Sequence, residues 1–121
     1  KIDLVFEHAA RFHVLDYKSN RLGTGMRLSD YAPAALAQAM DAHHYRFQAL
    51  LYTIALDRYL RERVTGYRRD QHLGAAIYLF VRAVGIAPDS ASRAGIWTQR
   101  FDDALIDAVD EVLAGEARDA A

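Results

Sequence analysis

The chain has 121 residues, of which 52% are hydrophobic, and this is enough to build one domain but not two. Its formal net charge of -1 excludes the uniformly basic surface of many nucleic-acid-binding domains, so any contact with a polyanion must be local. The absence of cysteine excludes disulfide bonds, cysteine-bound zinc and iron–sulfur clusters.

No targeting signal is visible in the sequence. The apolar runs fall short of the roughly 18 residues that a membrane span requires, and no basic segment precedes an apolar one as in a signal peptide. We therefore expect a cytoplasmic protein. The sequence starts at Lys1 without a methionine and enters a strand pattern at once, from which we expect a fragment of a longer chain.

The first two predicted elements form a β-hairpin. The segments Ile2–Phe6 and Phe12–Tyr17 are short and rich in β-forming residues. They flank the tetrapeptide His8–Arg11, which lacks the Asn-Gly or Asp-Gly pair of the most recognisable hairpin turns, so the turn geometry stays open. Residues 19–29 contain two glycines and predict a loop.

A long helical region follows this loop. One residue of the Ser29–Asp30 pair is a candidate N-cap, and Pro33 suits a first helical turn. Residues 34–64 are rich in helix formers with apolar residues at helical spacing, and we predict a break at His43–His44. Thr65–Gly66 marks the predicted end of the helix.

The remaining elements alternate between strand and helix. Leu73–Val81 is nearly continuous apolar sequence and predicts a central strand buried on both faces. Residues 85–95 predict an exposed loop, and Ile96–Thr98 predicts a short strand. A last helix is expected to start at a cap in the Asp102–Asp103 pair and to run through Leu113.

This order of elements predicts an α/β fold in which helices flank a mixed sheet in three layers. We expect one domain over residues 1–114 and a frayed C-terminal tail over residues 115–121.

Three charged residues of the hairpin form a candidate active site. Asp16 and Lys18 occupy alternate strand positions, so their side chains project from the same face. With an even turn centred on Ala9–Ala10, Asp3 falls directly opposite Asp16. Opposed acids destabilise a sheet, whereas Mg²⁺ is commonly held by one or two carboxylates, water and a substrate phosphate. The pattern therefore predicts metal-assisted phosphodiester hydrolysis.

A purely structural interpretation stays open at this point. Asp3 could be a surface residue at a strand end, and Asp16 and Lys18 could form an ordinary exposed ion pair. The Asp-x-Lys pattern alone is a weak signal. The opposed position of Asp3 favours the functional interpretation, because an acidic pair without a neutralising group suits a sheet poorly.

The same residues resemble the core motif of the PD-(D/E)xK nucleases, in which an Asp on one strand is followed by (Asp/Glu)-x-Lys on the next. The likeness is closer to one branch, the nuclease domains of RecB-type helicase-nucleases (exodeoxyribonuclease V). Five stretches carry it over nearly the whole chain, with none after Leu113: Leu15–Asn20, His44–Gln48, Leu51–Leu60, Gly74–Arg82 and Gly95–Thr98.

The resemblance implies a restriction-endonuclease-like core and a role for each motif residue. Asp3, Asp16 and the backbone carbonyl of Tyr17 are the implied ligands of Mg²⁺, for which Mn²⁺ can substitute, and Lys18 is the implied catalytic residue. Gln48 and Tyr52 match a further Gln-x-x-x-Tyr motif of the family.

The implied roles of Gln48 and Tyr52 are catalytic and DNA-binding, and their spacing places both on one helix face. Without the family, a surface Gln beside a buried Tyr is the simpler interpretation. Arg46 is a further candidate for a DNA contact. Other arginines could contact the DNA backbone or form solvated helix surface: Arg58, Arg61, Arg63, Arg68 and Arg69.

One feature of the family is missing from this sequence. The family uses an upstream metal ligand, a His in the RecB branch, on a segment before the first core strand. None of the five histidines has that place in the order of motifs. We therefore expect weak Mg²⁺ binding and weak or absent cleavage by the isolated chain.

The resemblance also implies partners: DNA, a helicase part of the same chain, RecC-like and RecD-like subunits, and a role in double-strand-break repair and recombination. One alternative is a non-catalytic module that docks a recombinase such as RecA through the acidic segment Asp102–Glu111. Another is a different nuclease of the same fold, such as a junction resolvase. The retained acids and lysine disfavour the first, and the helix and central-strand matches disfavour the second.

Overall fold

A mixed sheet organises the part of the chain that the computed structural model describes, which is residues 2–24, 26–84, 86 and 94–120. Its strands follow the order β1-β2-β3-β4, with β1 at Leu4–His8, β2 at Arg11–Lys18, β3 at Leu73–Phe80 and β4 at Ile96–Gln99. The helices are α1 (Pro33–Ala42), α2 (Tyr45–Arg63), α3 (Arg69–His72), α4 (Val81–Val84) and α5 (Asp103–Ala120), and a 3₁₀ turn covers Leu28–Tyr31.

The predicted hairpin is confirmed. Strands β1 and β2 are antiparallel, with Leu4 opposite Leu15. Ala9 and Ala10 form a two-residue turn, and both have the positive φ angles, 51° and 66°, that the tightest hairpin turns require. Continued by one position, this register sets Asp3, which lies just before β1, opposite Asp16.

The other strand pairs make the sheet mixed, as the sequence predicted. Strands β2 and β3 are parallel, so the chain between them crosses over through α1 and α2. Strands β3 and β4 are antiparallel. The predicted central strand is therefore confirmed as β3, and its register places Tyr78 beside Asp16 and Phe80 beside Lys18.

The two faces of the sheet differ in burial. Ala76, Tyr78 and Phe80 of β3 are buried on the face that α1 and α2 cover. Residues 75, 77 and 79 of the opposite face are only half-buried. The expectation that β3 is buried on both faces thus holds for one face only within the described residues, which is the face that α2 contacts.

The helical region divides where the sequence predicted. Helices α1 and α2 are separated by His43 and His44, and His44 has a left-handed backbone with φ of 58°. The predicted cap is wrong: Ala32 precedes α1 and Pro33 is its first residue. The Asp30 carboxylate instead accepts hydrogen bonds from Thr24 and the Arg27 backbone, because a 3₁₀ turn intervenes before the helix.

Helix α5 begins as predicted and ends later. The Asp102 carboxylate accepts a 3.1 Å hydrogen bond from the Ala104 backbone N–H, which satisfies a free donor of the first turn. The helix continues through Gly115 to Ala120, so the predicted end at Leu113 is wrong. A single glycine costs a helix only about 1 kcal/mol relative to alanine, and the alanines around it offset this cost.

The predicted loop at 85–95 lies largely outside the described residues. Among the described helices, none combines the length and the apolar character that crossing a membrane requires.

Candidate active site

Asp3 and Asp16 meet at the end of the hairpin that lies opposite its turn. The Asp3 Oδ2 atom accepts a 3.0 Å hydrogen bond from the backbone N–H of Tyr17, the residue after Asp16. The Asp3 and Asp16 carboxyl groups are also close enough that each shifts the pKa of the other. The two acids therefore share one small space, as the hairpin register predicted.

The two carboxyl groups have opposite pKa shifts. Asp16 is 3% exposed, and this burial raises its pKa, to which the adjacent Asp3 adds while Lys18 opposes. Asp3 is exposed, and the hydrogen bond from the Tyr17 N–H lowers its pKa. Asp16 is thus a buried acid whose negative charge is incompletely compensated by the protein.

The Tyr17 backbone faces the same edge of β2. Its N–H points toward Asp3, and the N–H and C=O of one residue in a strand project to the same edge. The Tyr17 carbonyl oxygen is therefore on the side of the acid pair. Its side chain belongs to the opposite face of the sheet and is 48% exposed.

The Lys18 ammonium completes the group. Its Nζ atom lies 2.8 Å from Asp16 Oδ2 and 3.2 Å from Gln48 Oε1. The side chain is 15% exposed, and the ammonium stands over the rings of Tyr45 and Tyr78. The structure therefore brings Asp3, Asp16 and Lys18 together on the face that α2 covers.

Helix α2 carries Gln48 and Tyr52 toward the acid pair. Gln48 Oε1 accepts a hydrogen bond from Lys18 and a second, 2.7 Å long, from the Tyr78 hydroxyl. Burial raises the pKa of Tyr52, and the nearby charge of Asp16 adds to this shift. Both residues of the predicted motif thus border the site, while their catalytic and DNA-binding roles stay predictions.

Arg46 is bonded within the chain. Its guanidinium donates to Asp41 at 3.0 Å and to Gln99 at 2.9 Å, and it stands 5.4 Å from the centre of the Trp97 ring. These contacts join α2 to the end of α1 and to β4. A DNA contact by Arg46 stays a prediction and would compete with these bonds.

Most of the other candidate arginines are also in ion pairs within the chain. Arg61 and Arg69 both bond to Asp57, Arg58 bonds to Asp110, and Arg68 bonds to Asp70. Arg63 stands over the Tyr59 ring. Asp107 and Asp110 of α5 are partners in these ion pairs, and Asp107 bonds to Arg69 at 2.9 Å.

The sequence analysis missed the buried centre of these ion pairs. Asp57 is 0% exposed and accepts hydrogen bonds from Arg61, Arg69 and the Tyr67 hydroxyl, and we call these four residues the Asp57 cluster. A signal existed: Asp57 follows Ile54 by three residues and precedes Leu60 by three, which places it on the apolar face of α2, with Arg61 one turn later.

Tyr45 and Tyr78 were also missed as neighbours of Lys18. Tyr45 precedes Gln48 by three residues on one helix face, which was a usable signal. Tyr78 could be connected to the site only through the register of β3 against β2, which the sequence does not specify.

The candidate metal ligands form a small set. Within the described part of the chain, no group of three or more His, Asp, Glu or Cys side chains is placed to hold a metal ion. The donors at the acid pair are two carboxylates and the Tyr17 carbonyl, with Lys18 as the neighbouring cation.

Comparisons with known proteins identify the family. No protein-family model matches the chain. The RecB subunit of the RecBCD enzyme of Escherichia coli (strain K12) is 47% identical over 114 residues, which cover 94% of this chain and 9% of that protein. The RecB subunit of Haemophilus influenzae is 40% identical over 112 residues, or 93% of this chain and 9% of that protein. The chain belongs to the RecB family.

A more divergent RecB subunit also matches the chain. That of Mycolicibacterium smegmatis is 36% identical over 122 residues, which cover 96% of this chain and 11% of that protein. The chain thus spans about a tenth of the length of the RecB subunits it matches. The closer of the two resemblances seen in the sequence is confirmed, while the wider PD-(D/E)xK assignment stays a prediction.

Proposed function

We propose that this chain hydrolyses DNA phosphodiester bonds with Mg²⁺, as the nuclease part of a RecBCD-type helicase-nuclease in double-strand-break repair and recombination. The observation that carries the proposal is the buried Asp16, with Asp3 against it and Lys18 on the same face. Membership of the RecB family supports the biological setting.

The residues present fit a hard divalent cation. Two carboxyl groups and a carbonyl converge on one side of β2, and these are oxygen ligands of the kind that Mg²⁺ and Mn²⁺ accept. Burial raises the pKa of Asp16, the adjacent Asp3 adds to the shift, and Lys18 does not outweigh them. A bound cation would lower the pKa of a coordinated water and neutralise charge on the scissile phosphate.

Lys18 is the residue that we place against the phosphate or the attacking water. An ammonium has three N–H donors, and Asp16 and Gln48 accept two of them. The third can reach a substrate atom at the acid pair. The site is also partly shielded from water, which strengthens the attraction between an ammonium and a phosphate.

Gln48 and Tyr52 supply the DNA contacts in this proposal. Because Gln48 Oε1 accepts hydrogen bonds from Lys18 and Tyr78, its Nε2 group, which donates, is turned away from both. An amide donor and a tyrosine hydroxyl one turn apart suit a phosphate or sugar rather than a base edge, so we expect cleavage without sequence choice.

The proposed partners follow from the name of the relatives, subunits of a RecBCD enzyme, and the weak charge of the chain is consistent with them. A net charge of -1 supplies no field that gathers DNA, so productive binding depends on the helicase part of the same chain and on RecC-like and RecD-like subunits that feed the strand to this site.

The alternative of a docking module for a recombinase such as RecA has less support. The acidic helix α5 was its basis, and Asp107 and Asp110 of that helix bond to arginines of the same chain. A junction resolvase has no observation in its favour beyond the shared acid–lysine pattern.

The deciding experiment measures DNA degradation by the full-length protein in its complex, at low salt with Mg²⁺. We expect Asp16→Asn and Lys18→Met to lower the rate by about 10²–10³, by analogy with removal of one preorganised catalytic group. Asp70→Asn is the matched control, because it removes an exposed acid of α3 that pairs with the exposed Arg68. Undiminished degradation by folded Lys18→Met protein would exclude the proposed role.

A further inference from the structure

Two tyrosine rings surround the Lys18 ammonium, and neither residue belongs to the motifs that predicted the site. The Nζ atom lies 4.1 Å from the centre of the Tyr45 ring and 5.3 Å from the centre of the Tyr78 ring. Cations within about 6 Å of an aromatic ring are attracted to its face, more strongly when water is excluded. Because the Lys18 side chain is only 15% exposed, both rings restrain the ammonium.

Tyr78 also interacts with the Lys18 ammonium indirectly, through Gln48. Its hydroxyl donates a 2.7 Å hydrogen bond to Gln48 Oε1, the atom that also accepts from Lys18. Tyr78 is fully buried, and its ring contacts Trp97 edge-on with 5.6 Å between centres. This packing fixes the hydroxyl, so the hydroxyl in turn fixes the orientation of the Gln48 amide.

Tyr45 is anchored on both sides of its ring. Its hydroxyl bonds to Asn20 Oδ1 at 3.2 Å, just beyond the end of β2. Its ring stacks on His43 with 5.2 Å between centres. The face that meets Lys18 is therefore held in place by the break between α1 and α2 and by the segment after β2.

We propose that Tyr45 and Tyr78 are positioning residues that hold the Lys18 ammonium and the Gln48 amide in their working orientation, an inference that rests on the hydrolysis proposed above. Tyr45 acts through its ring, and Tyr78 acts through its hydroxyl. A displacement of about 1 Å in a reacting group can lower a rate about 100-fold. Loss of either support therefore lowers kcat, and it changes KM little because productive binding of DNA depends mainly on the helicase part and the other subunits.

The test compares kcat and KM for DNA degradation by the full-length protein in its complex. We expect Tyr78→Phe to lower kcat about tenfold, the effect of losing roughly one hydrogen bond at the transition state, with KM within about twofold of wild type. Tyr45→Leu should lower kcat similarly, whereas Tyr45→Phe, which keeps the ring, should retain wild-type kcat. Tyr67→Phe is the matched control, because it removes a tyrosine hydroxyl bonded to Asp57 instead.

A double variant separates positioning from general loss of packing. If Tyr78 acts through Gln48, Tyr78→Phe has no further effect on kcat in a Gln48→Ala background. Wild-type kcat in Tyr78→Phe, or the full additional loss in the Gln48→Ala background, overturns the role of Tyr78. Wild-type kcat in Tyr45→Leu overturns the role of Tyr45. The two Tyr45 variants also keep the inference testable if Tyr78→Phe does not fold.

The two proposals fail in different ways. An unchanged rate in Asp16→Asn would overturn hydrolysis at this site and the positioning role with it. Loss of activity in Asp16→Asn together with wild-type kcat in Tyr78→Phe and Tyr45→Leu would leave the hydrolysis standing and remove the positioning role alone.

Discussion

Two buried aspartates of this chain have opposite electrostatic surroundings. Asp57 is 0% exposed and receives hydrogen bonds from two arginines and the Tyr67 hydroxyl. Burial tends to raise the pKa of Asp57, but the bonds from Arg69, Tyr67 and Arg61 outweigh it, and the pKa is lowered. Asp16 is 3% exposed, and this burial raises its pKa; the adjacent Asp3 adds to the shift, and Lys18 opposes it without outweighing it.

The difference separates a charge that the fold compensates from one that the proposed hydrolysis would use. The Asp57 carboxylate is fully compensated by groups of its own chain, so its charge ties α2 to the segment that follows and, through Arg69, to α5. The Asp16 carboxylate is left under-compensated in a sheet, where an acid is costly. When the fold does not offset the free-energy cost of burying a carboxylate, the site is a candidate for binding a further group such as a cation.

The largest effect on folding stability is expected at the Asp57 cluster. Asp57→Asn leaves Arg69, whose side chain is 18% exposed, without its buried anion, and should lower the free energy of unfolding by about 3–5 kcal/mol. Urea unfolding of the 121-residue chain measures this loss. Asp70→Asn, at an exposed pair, is the control and should change stability by less than about 1 kcal/mol. A loss at Asp57 no larger than the control would contradict a structural role.

Acid should weaken the same cluster. The pKa of Asp57 is lowered in the folded chain from 3.8, so its contribution to stability is complete well above that value and is lost as the pH falls through the lowered pKa. We expect wild-type stability to drop more steeply between about pH 4 and pH 2 than that of Asp57→Asn. Parallel curves for the two proteins, measured by urea unfolding at each pH, would argue against this linkage.

The contribution of Asp16 to folding stability should depend on pH in the opposite direction. Its folded pKa is raised, so in metal-free protein the folded state loses stability as the pH rises from 3.8 through the raised value. At neutral pH, Asp16→Asn should therefore change the free energy of unfolding by no more than about 1 kcal/mol in either direction. A loss as large as that of Asp57→Asn would make the two aspartates alike and would break the comparison.

Added Mg²⁺ should produce the smallest effect. A ligand that binds only the folded state stabilises it by RT ln(1 + [L]/Kd), and two carboxylates and a carbonyl form a weak site for this strongly hydrated ion. We expect a stabilisation below about 1 kcal/mol at ten-millimolar Mg²⁺, present in wild type and absent in Asp16→Asn. Equal stabilisation of both proteins would show that Mg²⁺ binds at a site other than the one that contains Asp16.

Local patterns carried much of the prediction. Alternation of residues placed Asp16 and Lys18 on one strand face, and the even spacing around Ala9–Ala10 set the position of Asp3. The break at His43–His44 was equally readable. Helix ends were predicted less well: a 3₁₀ turn displaced the expected cap at Ser29–Asp30, and α5 continued past Gly115 because one weak helix former does not end a helix.

Local spacing sets the periodic features of this protein: its strands, its long helices and the hairpin that brings Asp3 and Asp16 together. These follow from contacts between residues close in the chain, or paired across a two-residue turn. The surroundings of the charges depend instead on long-range packing. Tyr78 meets Lys18 because β3 pairs in parallel with β2, and Asp57 meets Arg69 twelve residues away. Compensation of a buried charge depends on side chains brought together by packing, and composition and periodicity do not encode which of them meet.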